Sequence, residues 1–163
     1  MFSLEIVTLA RLLVDDARAR SLRSVTAESC TGGLVAGAIC MVAGASDVFE
    51  RGFVTYSNRA KQELLGVPGD LIADLGAVSE PVARMMAEGA LENSNAHLAV
   101  AITGVAGPGG GTPLKPVGTV HLATARANQA ILHRQEYFEF EDRAGVQLAA
   151  VQSALQMLRD RIA

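Results

Sequence analysis

The chain has 163 residues, half of them apolar, with 14 basic against 17 acidic side chains and a net charge of −3. That length fits one domain, residues 1–163, around a single core, and the acidic balance argues against a dedicated nucleic-acid binder, which needs clustered Lys and Arg. No apolar run reaches the ~20 residues of a bilayer span, and two cysteines, Cys30 and Cys40, make neither a disulfide framework nor a zinc ribbon.

Ile6, Leu9, Ala10 and Leu13 recur at helical spacing and predict a first helix over residues 3–19. Glu5 precedes any basic residue, so the start does not read as a signal peptide, and a reduced, soluble, cytoplasmic protein is expected. Arg18, Arg20 and Arg23 near the end of this helix suit its dipole without any ligand. "SVTAES" reads as a short strand. A second helix is predicted from near Thr31, with Leu34, Val35, Ile39 and Val42 on its stripe and "GAS" as its end. "VFERGFVTYS" reads as a longer strand, and helical spacing returns from Asn58 through Leu65 until "VPGD" breaks it.

The short helix "LIADL" stops at Gly76. Ser79 is then the expected N-cap of a helix with Pro81 in its first turn and Val82, Met85, Met86 and Ala90 on its buried stripe. "HLAVAIT" is a buried strand. "GVAGPGGGTPLKPVG" holds six of the sixteen glycines and three of the five prolines and is not regular structure. Two strands, residues 118–125 and 130–140, read as a hairpin across "RAN", and a last helix from Asp142 carries Leu148, Val151, Leu155 and Leu158 on one face. This order predicts an α/β fold with helices on both faces of a mixed sheet. Strands separated by helices are parallel, and the hairpin introduces one antiparallel strand. The oligomeric state stays open, a homo-oligomer included.

In such a sheet ligands sit at the carboxyl ends of the parallel strands. "TAESCTGG", "FVTYSNRAK" and "AITGVAGPGGG" all fall there. Ser29 lies at a strand-to-helix turn, where the amides of Cys30, Thr31, Gly32 and Gly33 point toward an anion. Three readings stay open: a nucleophile with an oxyanion hole, a phosphate cradle, or a plain helix N-cap made by Ser29 or Thr31. A serine needs a base. His97, His121 and His133 fall at no predicted strand end and lack metal-ligand spacing, so neither a Ser-His-Asp triad nor a metal or other cofactor is expected. Lysine is scarce: only Lys61 and Lys115 stand against twelve arginines. Lys61 opens a helix just after a strand, where desolvation lowers an amine's pKa and makes it a base. Tyr56 is either a half-buried strand aromatic or a proton relay. Cys30 is a rival nucleophile, although a small buried thiol is the ordinary reading. Gly107, Gly109, Gly110 and Gly111, with Thr103 and Thr112 beside them, let backbone amides approach an anion closely, unless the segment is merely a mobile loop. Lys115 reads as a solvated cation, and Arg143, at the start of the last helix, reads as a surface cation or as one that reaches a phosphate.

These residues resemble a known family. "TAESCTGGLVAGAI", "FERGFVTYSNRAKQELLGV", "GAVSEPVARMMAEGAL", "AITGVAGPGGGTPLKPVGTVHLA" and "FEFEDRAGVQ" together look like the CinA C-terminal family, also called the PncC family of nicotinamide-nucleotide amidases, over nearly the whole chain. The resemblance implies a three-layer α/β/α sandwich with a five-stranded mixed sheet, one strand antiparallel. It implies an amidohydrolase that turns nicotinamide mononucleotide and water into nicotinate mononucleotide and ammonia, with a small nucleotide as partner and neither nucleic acid nor membrane. Ser29 would be the nucleophile, Lys61 the base and Tyr56 a relay. Cys30, Thr31, Gly32 and Gly33 would sit at the oxyanion, and Thr103, Gly104, Gly107, Gly109 and Gly110 around the rest of the substrate. Longer family members carry a further N-terminal domain resembling molybdopterin-binding proteins, and the resemblance does not extend that domain's pyrophosphatase-type activity to these residues. Leu114 and Gly109 stand where relatives carry acids, which bears on ribose contacts. A non-catalytic nucleotide-binding module and a competence-related regulatory or DNA-uptake role are the alternatives.

Overall fold

The computed structural model describes residues 1–140 and 142–163. Helix α1, Leu4–Ala19, starts where the Ser3 hydroxyl accepts from the Ile6 amide, and it buries Ile6, Ala10, Leu13, Val14 and Ala17. Strand β1, Ser24–Glu28, is buried at every residue. Helix α2, Leu34–Cys40, begins three residues later than the apolar spacing predicts. Gly32 and Gly33 hold φ of 56° and 100°, a left-handed pair that no helix accommodates, so the chain makes an open turn before coiling. Strand β2 is Phe49–Val54, helix α3 Asn58–Leu65 and helix α4 Gly69–Leu75. Helix α5, Glu80–Glu92, has Ser79 at its N-cap position, but the Ser79 hydroxyl donates to the Gly76 carbonyl at 2.9 Å and makes no cap bond. Strands β3, Leu98–Gly104, β4, Thr119–Arg126, and β5, Leu132–Tyr137, precede helix α6, Arg143–Asp160, whose N-cap Asp142 accepts from Gly145.

The sheet order is β2-β1-β3-β4-β5. β1 is parallel to β2 and β3, while β4 is antiparallel to both β3 and β5, so β4 alone runs against the other four. The expected α/β fold, with a five-stranded mixed sheet and one antiparallel strand, is the one observed. Alternate residues of β3 enter two cores. Leu98, Val100 and Ile102 pack with α1, α2 and α6, whereas Ala99 and Ala101 pack with α3, α4 and α5. The second core is lined by alanines from sheet and helix alike, among them Ala27, Ala123, Ala83, Ala87 and Ala90, which lets α5 lie low on the sheet. β2 and β5 are shorter than predicted and have no buried residue, as edge strands often do. No helix among the described residues is long and apolar enough to cross a membrane.

The packing of α5 is tight at Gly89, where an added Cβ would lie 1.9 Å from the Leu65 carbonyl oxygen. Gly89→Ala is therefore expected to destabilise the fold by about 1–3 kcal/mol, the usual cost of overpacking. The check is a lower urea midpoint at unchanged slope.

Candidate active site

The carboxyl ends of β1, β2 and β3 meet at the turn carrying Ser29. The ladder continues one residue past Glu28: the Ser29 amide donates to the Ile102 carbonyl and the Thr55 amide to the Glu28 carbonyl, each at 2.9 Å. Ser57 caps α3 by accepting from the Ala60 amide, which places Lys61 in the first helical turn with its side chain directed back across the strand ends. Lys61 Nζ lies 2.9 Å from Ser29 Oγ, and it also contacts the carbonyls of Thr55 at 2.9 Å and Tyr56 at 3.4 Å. Lys61 is 1 % exposed and Ser29 9 %. Burial lowers the Lys61 pKa, with a smaller opposing pull from Cys30. Nζ therefore has three oxygens within reach, Ser29 Oγ and the two carbonyls, in a buried setting that disfavours its charged form.

Glu28 decides what the turn offers an anion. Its carboxylate is fully buried and accepts from the Thr31 hydroxyl at 2.7 Å, the Val35 amide at 2.9 Å and the Ala36 amide at 3.0 Å. The first amides of α2 are thus already occupied by a carboxylate, which closes the helix N-terminus to a phosphate. The N-cap reading of Ser29 or Thr31 is corrected as well: Gly33 holds that position, Ser29 faces Lys61 and Thr31 faces Glu28. Gly32 N donates to the Ser29 carbonyl. Among the described residues the amides of Thr31 and Gly33 donate to no protein group. The Cys30 thiol is pushed up to about 12, first by burial and further by the Glu28 charge, so it holds its proton at neutral pH and is no rival nucleophile.

Beside Cys30 opens a cavity of about 290 Å³, lined also by Tyr56, Val78, Arg143 and the backbone at Gly104, Gly107, Gly109 and Gly110. A larger hollow of about 440 Å³, around Phe2, Ile6 and Met41 between α1 and α2, is lined by apolar side chains with Arg11 and Asp15 and by no serine, cysteine, lysine or histidine. The glycine-rich loop is pinned rather than loose. Val105 N donates to the Thr119 carbonyl, Gly118 N to that of Val105, and Lys115 Nζ to that of Leu75, so Lys115 braces the loop. Gly107 and Gly110 have φ of 83° and 85°, and their amides and that of Gly109 donate to no protein group among the described residues. Arg143 Nη1 donates to the Gly107 carbonyl at 2.7 Å and Nη2 to the Tyr56 hydroxyl at 2.6 Å. The Tyr56 hydroxyl thus rests on Arg143, not on Ser29 or Lys61. Thr103 is buried and donates to the Ala77 carbonyl, which positions the segment leading to Val78 and leaves Thr103 out of the cavity wall.

The profile of the CinA C-terminal domain family matches residues 6–162. The chain belongs to the CinA C-terminal domain family. It is similar to a CinA-like protein of Akkermansia muciniphila, 59% identical over 118 residues, which are 72% of this chain and 28% of that protein. A CinA-like protein of Anaeromyxobacter dehalogenans is 50% identical over 151 residues, 93% of this chain and 36% of the other. This CinA domain therefore spans about a third of the length of the curated relatives it matches. Among solved structures it is similar to the competence/damage inducible protein CihA from Agrobacterium tumefaciens, with a TM-score of 0.95 and 49% identity over 97% of this chain and 96% of that one. The competence damage-inducible protein A from Klebsiella pneumoniae gives 0.91 and 35%, with 96% of each chain covered.

One side chain of this CinA domain's site, Glu28, was given no role from the sequence. A glutamate inside a fully buried strand, one residue from the serine, is the signal that marks Glu28. Arg143, whose surface reading was set against a phosphate contact, lies on the cavity. On the other sheet half His121 Nδ1 and His133 Nε2 are 2.9 Å apart, and no group of three metal-ligating side chains gathers there or elsewhere among the described residues.

Proposed function

We propose that this domain hydrolyses the carboxamide of nicotinamide mononucleotide, releasing ammonia and nicotinate mononucleotide. The observation that carries the reading is the 2.9 Å contact between Ser29 Oγ and the buried Lys61 Nζ. A serine next to a desolvated, uncharged amine is an activated nucleophile. Ser29 attacks the carboxamide carbon as its proton passes to Lys61. The oxyanion that forms is met by the unbonded amides of Thr31 and Gly33, donors each worth roughly a hundred- to a thousandfold in rate. Lys61 returns the proton to the departing nitrogen, and ammonia leaves an ester on Ser29. Water then attacks the ester, gives a proton to Lys61, and the acid is released as Ser29 regains its hydrogen. Tyr56 joins a proton relay only by exchanging its Arg143 partner for the leaving amide; otherwise its ring is a wall of the cavity.

The 5′-phosphate fits the amides of Gly107, Gly109 and Gly110 together with Arg143, the cation among the cavity-lining residues. Arg143→Ala is expected to raise KM for the mononucleotide about tenfold to a hundredfold while kcat changes little, since a charge-assisted bond contributes about 1.5–3 kcal/mol. Steady-state ammonia release with the phosphorylated substrate checks it. An unchanged KM would remove the phosphate from this end of the cavity. The same loop and Arg143 also support a binding module without chemistry. Calorimetric binding of the mononucleotide with no product by mass spectrometry would favour that second reading.

A further inference from the structure

Four buried polar side-chain atoms among the described residues have no hydrogen-bond partner: Thr26 Oγ1, Thr55 Oγ1, Thr124 Oγ1 and Arg161 Nε. Thr26 and Thr124 lie inside strands and Arg161 beyond the end of α6. Thr55 is different. It follows β2 directly, is fully buried, and supplies the carbonyl that Lys61 Nζ contacts at 2.9 Å. Register places its side chain on the dyad's face. Ala27 pairs with Phe53 and both pack in the core beneath α5, so Ser29 and Thr55, two residues further on, point to that same side.

We propose that Thr55 is a positioning residue for Lys61: its hydroxyl oxygen, unpartnered while the amine is uncharged, accepts from the ammonium that forms when Ser29 gives up its proton. The inference rests on the amidase reading. Counting hydrogens leads to it. The uncharged amine has two hydrogens and two carbonyl acceptors, and nothing is left over. Once Ser29 Oγ bonds to the carbonyl carbon its proton sits on Nζ, which then carries three hydrogens. Two keep the carbonyls of Thr55 and Tyr56. The third came from Ser29, whose Oγ is now bonded to carbon and a poor acceptor, so until it passes to the leaving nitrogen it needs another partner. At 1 % exposure water does not supply one. Thr55 Oγ1 is the unused acceptor on the residue Nζ already touches. A bond absent in the resting state and made when charge appears lowers the barrier rather than merely tightening binding. Valine has the same shape without the orphaned hydroxyl and would fold at least as well. Thr55 keeps its own hydrogen throughout, and the proton passes only from Oγ to Nζ to nitrogen.

The test uses Thr55→Val and Thr55→Ser in protein labelled with ¹³C and ¹⁵N at lysine. With only Lys61 and Lys115 in the chain, the Lys61 titration is read directly by NMR. The titratable group acting on Lys61 is the Cys30 thiol, and all variants keep it. In Thr55→Val, Lys61 is expected to titrate about one unit lower, kcat to fall about tenfold at nearly constant KM, and the thermal midpoint to hold or rise. Thr55→Ser restores both titration and kcat. A folded Thr55→Val protein with wild-type Lys61 titration and wild-type kcat overturns the proposal. Thr55→Ala answers the same question if the valine variant does not fold. Wild-type protein that releases no ammonia ends the amidase reading, whereas the Lys61 titration still decides whether Thr55 holds the ammonium.

Discussion

Ser29→Ala and Lys61→Met are each expected to reduce ammonia release from nicotinamide mononucleotide by at least about a thousandfold, and the double variant to fall no further, because two groups that act as one unit do not contribute additively. Methionine is the substitution of choice for Lys61, since it fills the same channel with an apolar chain. The wild-type pH profile has a defined sign. The working form of Lys61 is the uncharged amine, so kcat/KM rises with pH through the depressed Lys61 pKa and levels off above it. Stability moves in the same direction. Between the lowered pKa of the folded state and the ordinary value of 10.5, the unfolded chain binds a proton that the folded chain does not. This group alone therefore makes the protein more stable as pH rises across that window, and Lys61→Met abolishes the slope. Circular dichroism confirms that the variants fold, and a discontinuous ammonia assay reads the rate. Turnover of Ser29→Ala at the wild-type rate would end the nucleophile assignment. Turnover of Lys61→Met at that rate would move the base elsewhere.

The pair was legible in the sequence because both members are marked locally. Ser29 sits where a buried strand runs into "CTGG", and Lys61 is one of two lysines, placed just after a strand with Ser57 and Asn58 to start a helix. The element order and the lone antiparallel strand followed from the alternation of spacing along the chain. Less local facts stayed hidden. Arg143 meets Tyr56 across 87 positions, so no window of sequence shows that the tyrosine hydroxyl is held by a guanidinium. The start of α2 was misplaced because the apolar spacing of Leu34, Val35 and Ile39 extends back toward Thr31, while the left-handed glycine pair stops the coil. Thr55 looks like any strand threonine until the register sets it beside Ser29. Glycine richness at residues 104–118 says that a loop is present; only the tethers from Thr119, Gly118 and Lys115 say that the loop is held still.

Glu28→Ala is expected to cost about 3–5 kcal/mol, a large part of the 5–15 kcal/mol that holds a typical domain together. The variant strands three donors at once: the buried Thr31 hydroxyl and Val35 amide and the half-buried Ala36 amide. Bonds to a charged acceptor contribute about 1.5–3 kcal/mol each, and orphaned donors lose their hydration as well. A graded series separates the parts. Thr31→Val removes one bond and leaves the carboxylate its two amides, a loss of about 1 kcal/mol. Glu28→Gln keeps one carbonyl-type oxygen for Thr31 and Val35 but turns an NH₂ group toward the Ala36 amide, donor against donor, for about 1–3 kcal/mol. Urea midpoints should fall in the order Thr31→Val, Glu28→Gln, Glu28→Ala. Activity follows a steeper course than stability. The same three bonds tie the end of β1 to α2 and so fix the turn from which Ser29 and the Thr31 and Gly33 amides are presented, and small misplacement of reacting atoms is worth orders of magnitude in rate. Glu28→Gln, still folded at the assay temperature, should therefore lose at least about tenfold in kcat with little change in KM. A Glu28→Ala protein as stable as the wild type would show that the turn is held by the glycine conformations alone, and that the buried carboxylate is not what positions the serine.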